Sequence, residues 1–423
     1  MKIKTVTFAN RNIIEIPFSK VAFLLQIVGL YYLSACGPQA NHTSQIFKDV
    51  KTNANSSDLN TVDIPQTAVR NQGRFGICWS YGTIGLLESI FKSRTQKDVD
   101  LSEEAVVFFH MAEGLHALFQ TSDVATITSV LSKGAFPEGW NTRIPEWLEN
   151  PRVPGERKQH DGLDIVKIYG AFPESAWSFK VPDGAARTAF FKSMASNISQ
   201  LMMRSVDMKK LTLEEVMDKV LIGRGAFPSR PPAIFEYDGR NWNSNSFLTD
   251  YLQINTDDFQ AVIARSEDDY DKVITAAKRA MVEGFSVPLA FPINISRLHG
   301  DLFTGQDVSD PKDWVSFAKD GGHLVLATDF VNKGGVAGAM SSPFIFNELR
   351  RSPSDLDTLI FKNSWGIGSK TNEAGTEIGN SPSGIYRMDQ SYLRGTMRVP
   401  TLTRSPYNTV QVVVPKHIAD NPL

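Results

Sequence analysis

The sequence predicts an α+β chain in which helices come first and strands follow. Apolar residues recur at helical spacing behind Cys78, over Ala105–Leu118 and through positions 184–221. A further helical stretch, Asp268–Glu283, is stopped by Gly284. Beyond it come short apolar runs that read as strands, at Val287–Phe291, Leu324–Ala327, Thr358–Phe361, Ile385–Met388 and Val410–Pro415.

A chain of 423 residues has ample length for one elaborated domain or two ordinary ones. Its 42% hydrophobic and 21% charged content are ordinary globular values. A net charge of −2 leaves no basic footprint and argues against nucleic acid as a partner.

The N-terminus speaks for export. Lys2, Lys4, Arg11 and Lys20 precede the apolar run Val21–Leu33. That length suits the core of a signal peptide and is short for a membrane span. The run leads into Leu33-Ser34-Ala35-Cys36, which resembles a bacterial lipobox. The resemblance implies that residues 1–35 are a signal peptide and that Cys36 is acylated. The product would be an exported, membrane-anchored lipoprotein of the cell envelope, held by acyl chains rather than a helix. Gly37 in place of Asp leans the sorting toward the outer membrane. Residues 36–62 are polar and read as a tether, so a domain spanning 63–423 should begin at Asp63-Ile64-Pro65.

Asn71-Gln72-Gly73-Arg74-Phe75-Gly76 is a glycine-punctuated turn leading into Ile77-Cys78-Trp79 and a helix. A thiol in a first helical turn meets unpaired N–H groups and the positive end of the dipole, which favour thiolate. With Cys36 lipidated, Cys78 has no disulfide partner in the chain, so it is either buried or used. Gln72 could fold back to donate to an oxyanion beside the sulfur. Gln72-Gly73-x-x-Gly76-x-Cys78-Trp79 resembles the active-site segment of papain-like cysteine peptidases. Those enzymes commonly carry a bridged Cys where this chain has Phe75. The tether is also too short for the folded inhibitory propeptide of many papain relatives.

Downstream, Ser102 with Glu103 and Glu104 marks the start of the next helix. Gly-Ala-Phe-Pro recurs at 134, 170 and 225 as similar helix stops rather than a solenoid repeat. A helix pair broken near Asp207–Leu211 and a loop-rich, Pro-containing stretch to Leu252 form an insertion over about 178–260. Its order and flavour are similar to the bleomycin hydrolase/aminopeptidase C branch of the superfamily.

Of seven histidines, His323 stands at a glycine turn feeding a strand, where a sheet would hold its ring toward a cleft. His299 is the runner-up. Thr358-Leu-Ile-Phe-Lys362-Asn363-Ser364-Trp365-Gly366 is a strand ending in a polar turn. Asn363 there could accept from one imidazole nitrogen and aim the other at the sulfur, with Trp365 shielding that bond. Gly-His-Leu and Asn-Ser-Trp-Gly both resemble papain-like motifs. The spacing from Cys78 to His323 suits the insertion-bearing branch.

The resemblance implies a papain-like two-lobed fold, a helical lobe carrying Cys78 and a β-barrel-like lobe carrying His323 and Asn363. It implies a cysteine peptidase in which Cys78, His323, Asn363 and Gln72 act on peptide or protein substrates through an acyl-enzyme, supported by Trp79 and Trp365. No cofactor is expected, and no metal-ligand spacing is present. Aminopeptidase-like action is the expectation if the tail beyond Pro415 enters the cleft, as in that branch. The competing reading is a catalytically weak, surface-anchored peptide-binding protein on the same frame.

Overall fold

In the computed structural model, residues 64–73, 76–121, 161–180, 184–222, 226–264, 266–305, 322–333, 355–371, 377–398 and 410–421 are described. The signal peptide and lipobox through Cys36, the tether to position 62, the Gly134 and Gly225 positions and most of the segment between Asn332 and Asp357 lie outside them.

Helix α1 (Cys78–Thr95) is the centre of the helical lobe. Gly82 through Phe91 are all buried, so neighbours enclose the helix around its circumference, with Ile84, Leu86, Leu87, Ile90 and Phe91 forming its apolar side. Its last turn carries Lys92 and Arg94, the sign that suits the negative end of the dipole. Helix α2 (Glu103–Thr121) begins where Ser102 Oγ accepts from the Ala105 amide at 3.2 Å, the cap the sequence predicts. Helix α3 (Asp161–Tyr169) ends at Gly170, whose φ of +76° lets the chain turn out of the helix.

Residues 184–222 hold the expected helix pair. Helix α4 (Gly184–Met203) is followed by α5 (Leu213–Val216), opened by a Thr212–Glu215 capping box and continued by a π turn, Met217–Leu221. Phe227 links this block to α2, its ring 5.1 Å from both Phe108 and Phe190. The stretch read as loop-rich contains more structure than expected. Strands β1 (Phe235–Tyr237) and β2 (Arg240–Trp242) form a two-residue hairpin through Asp238 and Gly239, both at positive φ. An Asp-Gly pair is a strong hairpin signal, and here it wins over the surrounding prolines.

The second lobe is built from β3 (Phe259–Ile263), helix α6 (Tyr270–Val282), β4 (Val287–Pro292), β5 (Leu298–His299), β6 (Leu302–Phe303), β7 (Gly322–Asn332) and β8 (Leu356–Lys362). It continues through β9 (Gly368–Thr371), β10 (Glu377–Ser381), β11 (Ile385–Asp389), α7 (Gln390–Arg398), β12 (Gln411–Pro415) and α8 (Lys416–Ala419). Eight strands form one sheet in the order β3-β12-β4-β7-β8-β11-β6-β5, antiparallel except for β11 against β6.

The register settles where the described tail goes. Phe291 of β4 pairs with His323, while β12 crosses β4 at Ala290 and Leu289 and runs toward the other end of that strand. The tail therefore leaves the sheet about five residues, roughly 16 Å, from the histidine. It then packs on α6, with His417 2.8 Å from Glu283 and Arg279 donating to the Asn421 carbonyl. Through Asn421 it does not enter the cleft, so that expectation is not met among the described residues. No helix among them is long and apolar enough to cross a membrane.

Candidate active site

Cys78, Gly82 and Gly85 are spaced to share one face of α1. Both glycines lie against alternate residues of β7: a Cβ on Gly82 would collide with Leu324 Cδ2, and one on Gly85 would come within 3.0 Å of Leu326 Cδ2. Lacking side chains there, the helix lies close on the strand. The same face carries the sulfur to the start of β7, where Cys78 Sγ accepts from the Leu324 amide at 3.4 Å. Leu324 directly follows His323, so thiol and imidazole belong to one junction between the lobes.

His323 is buried, and its Nε2 donates to Asn363 Oδ1 at 2.8 Å. A proton on Nε2 leaves Nδ1 as the basic nitrogen. Asn363 follows the last residue of β8, and its amide N–H donates to the Gly384 carbonyl at 3.1 Å. Asn363 Nδ2 is buried with no partner among the described residues. A buried unpaired donor is costly, and the site accepts it to place the carbonyl end at His323. Trp365 stacks on the imidazole, with ring centroids 4.9 Å apart and planes 25° apart.

Gln72 arrives by a second route. Residues 70–72 run beside 364–366, with Gln72 N donating to Ser364 O at 2.8 Å and Gly366 N to Arg70 O at 3.0 Å. Ser364 Oγ also donates to Gln72 Oε1. The turn that carries Asn363 thus also holds Gln72, a role for Ser364 that the sequence reading missed although the residue stood inside a quoted motif.

The surroundings of the thiol pull in two directions. The Leu324 amide, and after it those of Trp79 and Cys78, do favour the anion, and Ile77 offers no side-chain cap to compete for the first-turn N–H groups. Desolvation outweighs them and pushes the Cys78 thiol up to about 11. Burial also holds His323 down at about 4, against the opposing pull of Asn363. Cys78 itself is half-buried, while His323 is buried. The helix-end effect is local and readable in sequence; enclosure by the second lobe is not.

Behind the pair lies a cavity of about 20 Å³, lined among others by Arg70, Glu88, Glu103, Lys362, Asn363 and Ser364. Arg70 sits 3.3 Å from Glu103 and 3.6 Å from Glu88, and Lys362 donates to Thr67 Oγ1 at 3.0 Å. Burial raises the carboxyls of Glu88 and Glu103. Glu103, Glu104 and Glu174 bring carboxylate oxygens within 4.8 Å of one another, but Arg70, Tyr81 and Ser178 already engage them.

The remaining histidines fall away from the sulfur's partner position. Trp79 packs against His110, ring centroids 4.5 Å apart. His116 bonds the Leu211 carbonyl, His299 is exposed on β5 and His417 faces Glu283. His42 and His160 lie outside the described residues.

A family model described as "Papain family cysteine protease" matches residues 54–110, the segment that includes Gln72, Cys78 and α1. No curated protein matches the chain by sequence. Among solved structures, PepW from Lactobacillus rhamnosis aligns over 95% of this chain and 93% of its own, at 14% identity and a TM-score of 0.51. The fold is papain-like and α+β. A cysteine protease from Carica candamarcensis aligns over 82% of this chain and 92% of its own, at 14% identity and a TM-score of 0.31. The structure comparing mite allergens Blo t 1 and Der p 1 aligns over 86% and 73%, at 13% identity and 0.34.

Proposed function

We propose that the chain is a cysteine peptidase. The observation that carries this is the junction at β7: a sulfur on a helix N-terminus, 3.4 Å from the Leu324 amide, whose chain neighbour His323 has its Nε2 held by Asn363 at 2.8 Å. The match of residues 54–110 to the papain-family model supports the same reading. On substrate binding, Cys78 passes its proton to His323 Nδ1 and the sulfur attacks the peptide carbonyl. Gln72 and the Cys78 N–H hold the oxyanion, a contribution of about 3 kcal/mol per donor. His323 then protonates the leaving amine, and water releases the acyl-enzyme.

The position of the described tail favours an unobstructed cleft, and hence endopeptidase action, over aminopeptidase-like trimming. The leader and Leu33-Ser34-Ala35-Cys36 support export with lipid attachment at Cys36 and an outer-membrane location. Iodoacetamide followed by intact-mass measurement tests the site: wild type should gain one adduct at Cys78 and Cys78→Ala none. Absence of any adduct at Cys78 contradicts the reading. Radiolabelled palmitate should enter wild type and not Cys36→Ala; equal incorporation rejects the anchor.

A further inference from the structure

We propose that Ser89 and Ser286, bridged by Gln66, are positioning residues: they form a joint at the rear of the two lobes that sets how Cys78 meets the strand carrying His323. The kinetic part of this inference rests on the peptidase reading and deepens it, while the joint itself can be tested without it.

Ser89 lies on α1 and Ser286 directly before β4, 197 positions apart in sequence. Both are buried, and their hydroxyl oxygens lie 2.7 Å apart. Gln66 Nε2 donates to Ser286 Oγ at 2.5 Å and reaches Ser89 Oγ at 3.1 Å, while Ser89 Oγ donates to the Pro65 carbonyl at 3.1 Å. An amide nitrogen only donates and a carbonyl only accepts, so the chain of bonds has one direction. It runs from Gln66 to Ser286, on to Ser89 and back to Pro65. Lys92, one turn beyond Ser89, donates to the Gln66 carbonyl at 2.8 Å and fixes the same segment on α1. A helix of one lobe and a strand of the other are thus joined by directional bonds, which specify a geometry more narrowly than apolar contact does.

The joint is remote from the chemistry yet shares its two supports. Cys78 stands eleven residues back along α1 from Ser89, roughly 16 Å at helical rise. Phe291, the β4 partner of His323, stands five residues on from Ser286, roughly 16 Å at strand rise. From the joint, α1 and β4 are two arms of similar length, one ending at the sulfur and the other beside the histidine. At that open end Leu324 N donates to Cys78 Sγ at 3.4 Å. Sulfur is a weak acceptor, so this bond adds little to holding the separation, whereas four directional bonds meet in the buried joint behind it.

Ser286→Ala in the full-length chain removes the link to β4 and leaves Gln66 and Ser89 bonded on α1. Misplacing reacting groups by about 1 Å can cost about 10²-fold, so a partial release should lower kcat about tenfold, with KM within about threefold. Hydrogen exchange followed by mass spectrometry should quicken about tenfold over Gly322–Thr328 and keep the wild-type rate over Gly184–Met203. Ser286→Thr, which keeps the hydroxyl, should restore both. Ser89→Ala should match Ser286→Ala, and the double variant should lose no more than either alone, since each breaks the same chain of bonds.

Exchange that quickens only over Gly284–Ala290, with kcat unchanged, overturns the proposal. So does equal quickening over Gly184–Met203, the mark of general destabilisation, or additive losses in the double variant. A wild type that labels at Cys78 yet hydrolyses nothing overturns the peptidase reading, and the exchange of Gly322–Thr328 then still decides for or against the joint.

Discussion

His323 donates through Nε2 to Asn363 Oδ1 at 2.8 Å, under the face of the Trp365 indole. The bond selects the tautomer that leaves Nδ1 basic. Asn363→Ala strands a buried N–H, a loss of about 1–3 kcal/mol, so kcat/KM should fall roughly 10–100-fold. Trp365→Ala removes a ring contact worth about 1 kcal/mol and should cost about fivefold. Peptide-hydrolysis kinetics check both, with thermal melts confirming that the variants are folded.

The opposite shifts of Cys78 and His323 predict an unusual pH profile for alkylation. Cys78 is pushed up to about 11 and His323 held down at about 4, both by burial. Between those values the thiolate fraction should climb about tenfold per pH unit, and the iodoacetamide rate with it. A rate that is flat from pH 5 to 9 would instead reveal a standing thiolate–imidazolium pair.

Glu104 gives a stability signature. Burial raises its carboxyl from 4.5 to about 7, opposed in part by the Tyr81 hydroxyl, which donates to it at 3.2 Å. A folded-state pKa above the unfolded one means stability that is fully present below about pH 4.5 and is lost as pH rises through 7. Glu104→Gln should therefore flatten the fall in Tm over that window, by calorimetry, and raise Tm at pH 8 relative to wild type. An unchanged slope would show that Glu104 is ionised in the folded protein throughout.

The tail makes a separate prediction. Because β12 and α8 carry the chain away from the Phe291–His323 end of the sheet, deleting Ala419–Leu423 should leave the cleavage pattern on a peptide library unchanged. New internal cleavages would show that the terminus restricts the cleft.

What the sequence made readable was local. The helix at Cys78, the strand behind His323 and the turn at Asn363 are each one short continuous segment, and their periodicity or motif survives without tertiary context. Ser364 and Gln72 are 292 positions apart, and no pattern along the chain announces that they bond. The strand at Val410–Pro415 was visible, but its insertion between β3 and β4, which decides where the tail goes, is a matter of register. The dipole at Cys78 was likewise visible, while desolvation depends on what covers the thiol and appears only in the assembled lobes.

Hydrolysis of a mixed peptide library by the full-length chain, compared with Cys78→Ala and His323→Ala, tests the central claim most directly. Turnover by wild type, with losses of at least about 10³-fold in both variants, is the predicted result. Folded variants that hydrolyse peptides at the wild-type rate, or a wild type that labels at Cys78 yet cleaves nothing, would contradict it.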